Sequence, residues 1–90
     1  MSDFQARLDA LATELWTLVD YPHSQLDGLS VSLEDGEVVV EGGARGLAFL
    51  AAQCLDIARH ADPRAHAHVE HELGADAGSI PLQIFKKPND

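Results

Sequence analysis

Ninety residues with 15 Asp and Glu against 6 Lys and Arg carry a formal net charge of −9. Such a field repels nucleic acid and anionic lipid, which offer no counter-charge, and attracts basic proteins. The length suits one domain over 1–90 with a modest core, and a lone cysteine, Cys54, excludes an internal disulfide. A single thiol, no apolar run of membrane-spanning length and no basic-then-apolar leader together lead us to expect a cytoplasmic protein. The charge is uneven: residues 1–44 hold nine acids and one base, residues 45–90 six acids and five bases.

The first predicted element is a helix over Asp3–Val19. Ser2 and Gln5 have capping-box spacing, and Asp3 sits where the helix dipole favours an anion. Phe4, Leu8, Leu11, Leu15 and Leu18 form a four-three seam expected to pack inward, broadened by Trp16 and Val19. Tyr21-Pro22 ends the helix, because a residue before proline is pushed out of the helical region. After a loop, Leu29–Leu33 alternates as a half-buried strand, Asp35-Gly36 reads as a two-residue hairpin turn, and Val38–Glu41 returns. That turn sets Leu33 opposite Val38, Ser32 opposite Val39 and Val31 opposite Val40. Leu29, Val31, Leu33, Val38 and Val40 are then expected on the core face, with Val39 the apolar residue outside. Glu34 faces Glu37, an unfavourable like-charge pair unless a cation or partner lies there.

Gly42-Gly43-Ala44-Arg45-Gly46 has a glycine content suited to a phosphate, but its spacing matches neither the P-loop nor the dinucleotide fingerprint. It reads as a flexible lead-in to a helix over Leu47–His60, the apolar centre of the chain. Leu47, Leu50, Ala51, Cys54, Leu55 and Ala58 share one face, Phe49 and Ile57 widen it, and Gln53, Asp56 and His60 mark a narrow polar line. Cys54 is thereby expected in the core as a small packing residue. Residues 65–73 alternate again, with Ala67, Val69, His71 and Leu73 inward and His66, His68, Glu70 and Glu72 outward. Ile80–Phe85 is the last strand, with Ile80, Leu82 and Ile84 inward and Pro81 suited to a strand start or edge. Residues 86–90 are expected to form a flexible tail. The order αββαββ predicts an α+β two-layer sandwich, two helices on one face of a four-stranded, mainly antiparallel sheet, as in a permuted ferredoxin-like fold.

Chemistry-bearing residues are few. His66, His68 and Glu70 leave one strand face and form a donor set suited to zinc or a similar metal. Side chains two residues apart stand roughly 6.5–7 Å from each other, so three in a row strain a single coordination sphere. A solvated, His-rich strand face is the simpler reading, and no cofactor is expected. Neither Cys54 nor Ser79 has a nucleophile's context, and nothing argues for an enzyme. Glu34, Asp35, Glu37 and Glu41, with Val39, offer an acidic surface around an apolar spot, suited to a basic protein. The alternatives are a hairpin charged for solubility and a small homodimeric domain.

From Leu29 onward the chain resembles the immunity protein 32 family of bacterial polymorphic-toxin immunity proteins. The resemblance lies in the Asp35-Gly36 hairpin with Val38-Val39-Val40, then Gly46-Leu47 opening an Ala/Leu-rich helix. His66-Ala67-His68-Val69-Glu70, Leu73, Gly78-Ser79 and Pro81-Leu82-Gln83-Ile84 complete it. The helix over Asp3–Val19 is no part of it. What it implies is binding, not catalysis: a protein that neutralises a cognate toxin, many of which are basic nucleases. His66, His68 and Glu70 match the strand motif of that family.

Overall fold

The computed structural model describes residues 3–21, 28–62, 64–69 and 80–87. Its elements come in the expected order: α1 (Asp3–Val19), β1 (Ser30–Glu34), β2 (Glu37–Glu41), α2 (Ala44–Arg59), β3 (His66–Val69) and β4 (Leu82–Phe85). α1 stops where Asp20 turns left-handed at φ 56° and its N–H donates to the Trp16 carbonyl at 3.0 Å, just before Tyr21-Pro22. The Ser2 cap lies outside the described residues.

The first hairpin has the register that its turn dictates. Asp35 and Gly36 both take positive φ, 51° and 81°, as a type I′ turn requires. Val31 pairs with Val40, Ser32 with Val39, Leu33 with Val38 and Glu34 with Glu37. In the second hairpin His66 pairs with Phe85, Ala67 with Ile84 and His68 with Gln83. The fold is therefore α+β, but the single four-stranded sheet is not what the described residues form: they make two antiparallel sheets of two strands each. A backbone bond, Ile80 N–H to the Val31 carbonyl at 2.8 Å, links the approach to β4 with β1. Pro81 follows it directly, and β4 begins one residue later, the position a residue without an N–H favours.

α1 and α2 lie antiparallel. Gln5 Nε2 donates to the Arg59 carbonyl at 3.4 Å, while near the other end Arg45 donates to the Leu18 and Val19 carbonyls, each at 2.9 Å. The two helices pack along their length, and Leu8 and Ala12 on α1 and Ala52 and Ile57 on α2 are buried. The core cluster joins Val19, Leu29, Val31 and Phe49, flanked by Leu15, Trp16, Leu82 and Ile84. Phe49 meets Trp16 edge-on at 5.7 Å and Tyr21 at 5.0 Å between ring centroids.

Both helices are rotated from their expected settings. On α1, Leu8 is buried as expected, but Phe4, Leu11 and Leu18 are exposed, and Ala12 and Val19 take the inward positions. On α2, Leu47, Ala51, Cys54 and Ala58 are exposed, whereas Phe49, Ala52 and Ile57 are buried and Gln53 and Asp56 half-buried. Cys54 is thus an exposed thiol, not a core residue. The physical reason is shape. Alanines at 12 and 52 let the helix axes approach, and Phe49 fills the space that Trp16 and Leu29 leave between helix and hairpin.

α2 also begins three residues earlier than expected, because Gly46 is tolerated inside it for a packing reason. A Cβ at Gly46 would stand 3.2 Å from Leu29 Cβ and 3.3 Å from Leu29 N, and one at Gly42 would stand 3.3 Å from Leu29 Cα. The glycines are therefore the seat of Leu29. Lys86, expected in a frayed tail, is tied down: its N–H donates to the Ala65 carbonyl at 2.9 Å and its Nζ to the His60 carbonyl at 2.7 Å.

Two substitutions test this core by chemical denaturation. Phe49→Ala is expected to lose about 3–5 kcal/mol, a large share of the stability of so small a chain. Gly46→Ala gains about 1 kcal/mol of helix propensity but crowds the buried Leu29 at a cost of about 1–3 kcal/mol, so a net loss is expected.

Candidate partner-binding surface

A five-residue strand spans roughly 17 Å, more than the core beneath it can cover. The first hairpin accordingly passes from a buried base to an open tip. Leu29 and Val31 are buried, Val40 is at the edge of exposure, and Leu33 and Val38 at the tip are 65% and 61% exposed. This corrects the expectation that all five face the core. Alternation placed them on one face, but the cover ends before the turn. Val39, expected on the outer side, is half-buried there.

Glu34, Asp35, Glu37 and Glu41 are all exposed. Glu34 and Glu37 face each other across the last rung, and Ser32 Oγ donates to Glu34 Oε2 at 3.1 Å. No described ion pair reaches these four acids; the pairs Arg7–Asp3 and Arg59–Asp56 lie on the helices. The tip therefore presents uncompensated carboxylates beside the apolar pair Leu33 and Val38. Sequence reasoning found the acids and missed the pair. The signal was the hairpin's own length, set against so short a chain.

The turn that could have held a phosphate has other work. Its glycines seat Leu29, and Arg45 places its guanidinium on the last carbonyls of α1, where the helix dipole is negative.

On the second hairpin, His66 and His68 stand with ring centroids 5.0 Å apart, and His66 lies flat on Phe85 at 5.0 Å. His66 Nδ1 is 3.4 Å from the Arg64 carbonyl. Glu70, the third member of the proposed donor set, lies outside the described residues. Among the described residues no three His, Cys, Asp or Glu side chains gather as a metal site. The two imidazoles form a cross-strand aromatic cluster with the exposed Phe85.

The family model for Immunity protein 32 matches residues 37–87, more than half of the chain. The chain belongs to this family. The Immunity protein 32 match takes in β2, α2 and the second hairpin, and with them Glu37, Val39, Glu41, His66, His68 and Glu70. α1, β1 and the acids Glu34 and Asp35 lie outside it. No curated protein and no solved structure matches the chain.

The Glu34–Glu37 rung yields a stability test. Glu37→Lys turns a repulsive cross-strand pair into an attractive one. It should raise the melting temperature slightly in low salt, and the gain should shrink as salt is added.

Proposed function

We propose that this chain is a non-catalytic immunity protein that neutralises a cognate bacterial toxin by docking its first hairpin onto a basic surface of that toxin. Membership of the immunity protein 32 family carries the reading. The hairpin supports its finer part. Glu34, Asp35, Glu37 and Glu41 supply a negative rim, and Leu33 and Val38 supply exposed apolar area beside it. An apolar centre with a charged rim is how protein interfaces combine affinity with a steered approach. The uncompensated Glu34–Glu37 rung fits the same picture: a repulsion left standing in the free protein is relieved when cations arrive. The reading places the protein in the cytoplasm, as a binder that uses neither cofactor nor metal.

The test takes a toxic domain from a neighbouring reading frame, if the gene has such a neighbour, with growth rescue and direct affinity as readouts; a neighbourhood without one would count against the reading. The double variant Glu34→Lys/Glu37→Lys should keep the circular dichroism of the parent, weaken binding by at least about tenfold and reduce its salt dependence. Leu33→Ala/Val38→Ala should weaken binding without changing the salt slope. Unchanged affinity in both variants would remove the hairpin from the interface.

A further inference from the structure

The outer face of the helix pair is open and mainly apolar, with Arg7 and Glu14 of α1 among its charged residues. On α1, Phe4, Leu11 and Leu18 recur every seven residues and are 72%, 54% and 65% exposed. On α2, the exposed residues Leu47, Ala51, Cys54 and Ala58 follow a four-three-four spacing. Leu11, Glu14, Leu15, Leu18 and Leu55 line a groove at this face. From Gly46 to Leu55 the chain holds no Asp, Glu, Lys or Arg, in a protein of net charge −9. Glu14 and the Arg7–Asp3 pair are the charges at this face, too few for a basic toxin, and an apolar patch of this extent is at the upper end of what monomeric chains leave bare.

We propose that a second copy of this chain covers this face, forming a homodimer in which two α1–α2 pairs stack about a two-fold axis. The face is complementary to itself. Leu11 is the middle residue of α1, and the α2 stripe is centred between Ala51 and Cys54, at the middle of that helix. The helices are antiparallel and in contact near both ends, so these midpoints lie level and one axis serves both. Antiparallel pairing across it sets Leu11 on Leu11, Phe4 on Leu18, and Ala51 on Cys54 of the second copy. Arg7 and Glu14 are exposed and two helical turns apart, so they share one flank of α1. A two-fold axis brings like flanks together. Arg7 of each copy then lies about one residue rise, ~1.5 Å, along the axis from Glu14 of the other.

Size agrees with this occupant. Two helices about 25 Å long and about 9 Å apart offer roughly 500 Å² per chain, so the pair buries roughly 1,000 Å², where specific interfaces begin. The inference stands apart from the immunity reading, because it uses neither the hairpin nor the family match.

Sedimentation equilibrium of the full chain, from about 1 to about 100 μM, reads the outcome through mass action. The parent should reach twice the monomer mass, and Leu11→Glu and Ala51→Glu should stay monomeric with unchanged circular dichroism. Arg7→Glu should raise the dimer dissociation constant about tenfold, and adding Glu14→Arg should restore it. A parent that stays monomeric across the range overturns the proposal, as does a Leu11→Glu variant that still pairs. A monomeric parent whose toxin affinity falls with Leu11→Glu also overturns it and gives the face to the toxin. Should the charge swap fail to rescue Arg7→Glu, the proposed pairing about Leu11 is wrong.

Discussion

Leu29 is the residue on which the arrangement turns. It is fully buried, and the backbone around it runs so close to Gly42 and Gly46 that neither position has room for a Cβ without displacing it. This contact ties the base of the first hairpin to the first turn of α2. Val31 and Phe49 complete the attachment, and Val19 brings in the end of α1. Because the hairpin is held at its base, its register can be strict while its tip carries no packing duty. The acids and the Leu33–Val38 pair are positioned by a buried leucine some distance away. A hairpin held this way is anchored where it joins the core and accessible at its tip, the arrangement a binding element would need.

How much of this could be read from the residues depends on how local each determinant is. The first hairpin was legible because Asp35-Gly36 demands two positive φ values, and that turn forces every rung behind it. The boundaries of α1 were legible for a similar reason, since Tyr21-Pro22 sets a nearby stop. The rotation of the helices was not. α2 is apolar nearly all round between Leu47 and Leu55, so almost any setting buries a similar amount of greasy surface. What decides is close approach at Gly46, Ala12 and Ala52, and the fit of Phe49 against Trp16, Tyr21 and Leu29. Those are relations between distant segments, and no periodicity reports them. The joining of strands into sheets is non-local in the same way: element order fixes which strands exist but leaves their neighbours open. In the candidate surface the acids were visible as residue types, while the exposure of Leu33 and Val38 depended on where the core ends. Arg45 was hidden by a glycine-rich context that suggests a ligand loop, when its partners are the carbonyls of α1.

The extent of the family match has a structural consequence. Residues 37–87 contain Phe49 but not Val19, Leu29 or Val31, so three of the four buried residues of the central cluster come from outside the matched part. β2 pairs with β1, and α2 packs on α1 and, through Gly46, on Leu29. Within this chain the matched part is therefore not a self-sufficient core. Of the 39 residues outside the match, these three side chains matter most, because burial of each is worth on the order of 1.5–3 kcal/mol.

The two open surfaces differ in the physics they offer, which is why they suit different partners. The hairpin tip is charged, and its attraction reaches as far as the ionic atmosphere permits. The outer face of the helices is mainly apolar, with Arg7 and Glu14 on its flank, and works mostly on contact through removal of apolar area from water. They also lie on opposite sides of α2: its exposed stripe points away from Phe49, and Phe49 faces the hairpin base. The shortest dimension of the chain is 19 Å, about twice the ~8 Å screening length at physiological salt. Across that distance the acids of one copy exert little force on those of another stacked behind it. The four hairpin acids are therefore no barrier to self-association through the helices, and a paired molecule would carry two such tips, each free to meet its own partner.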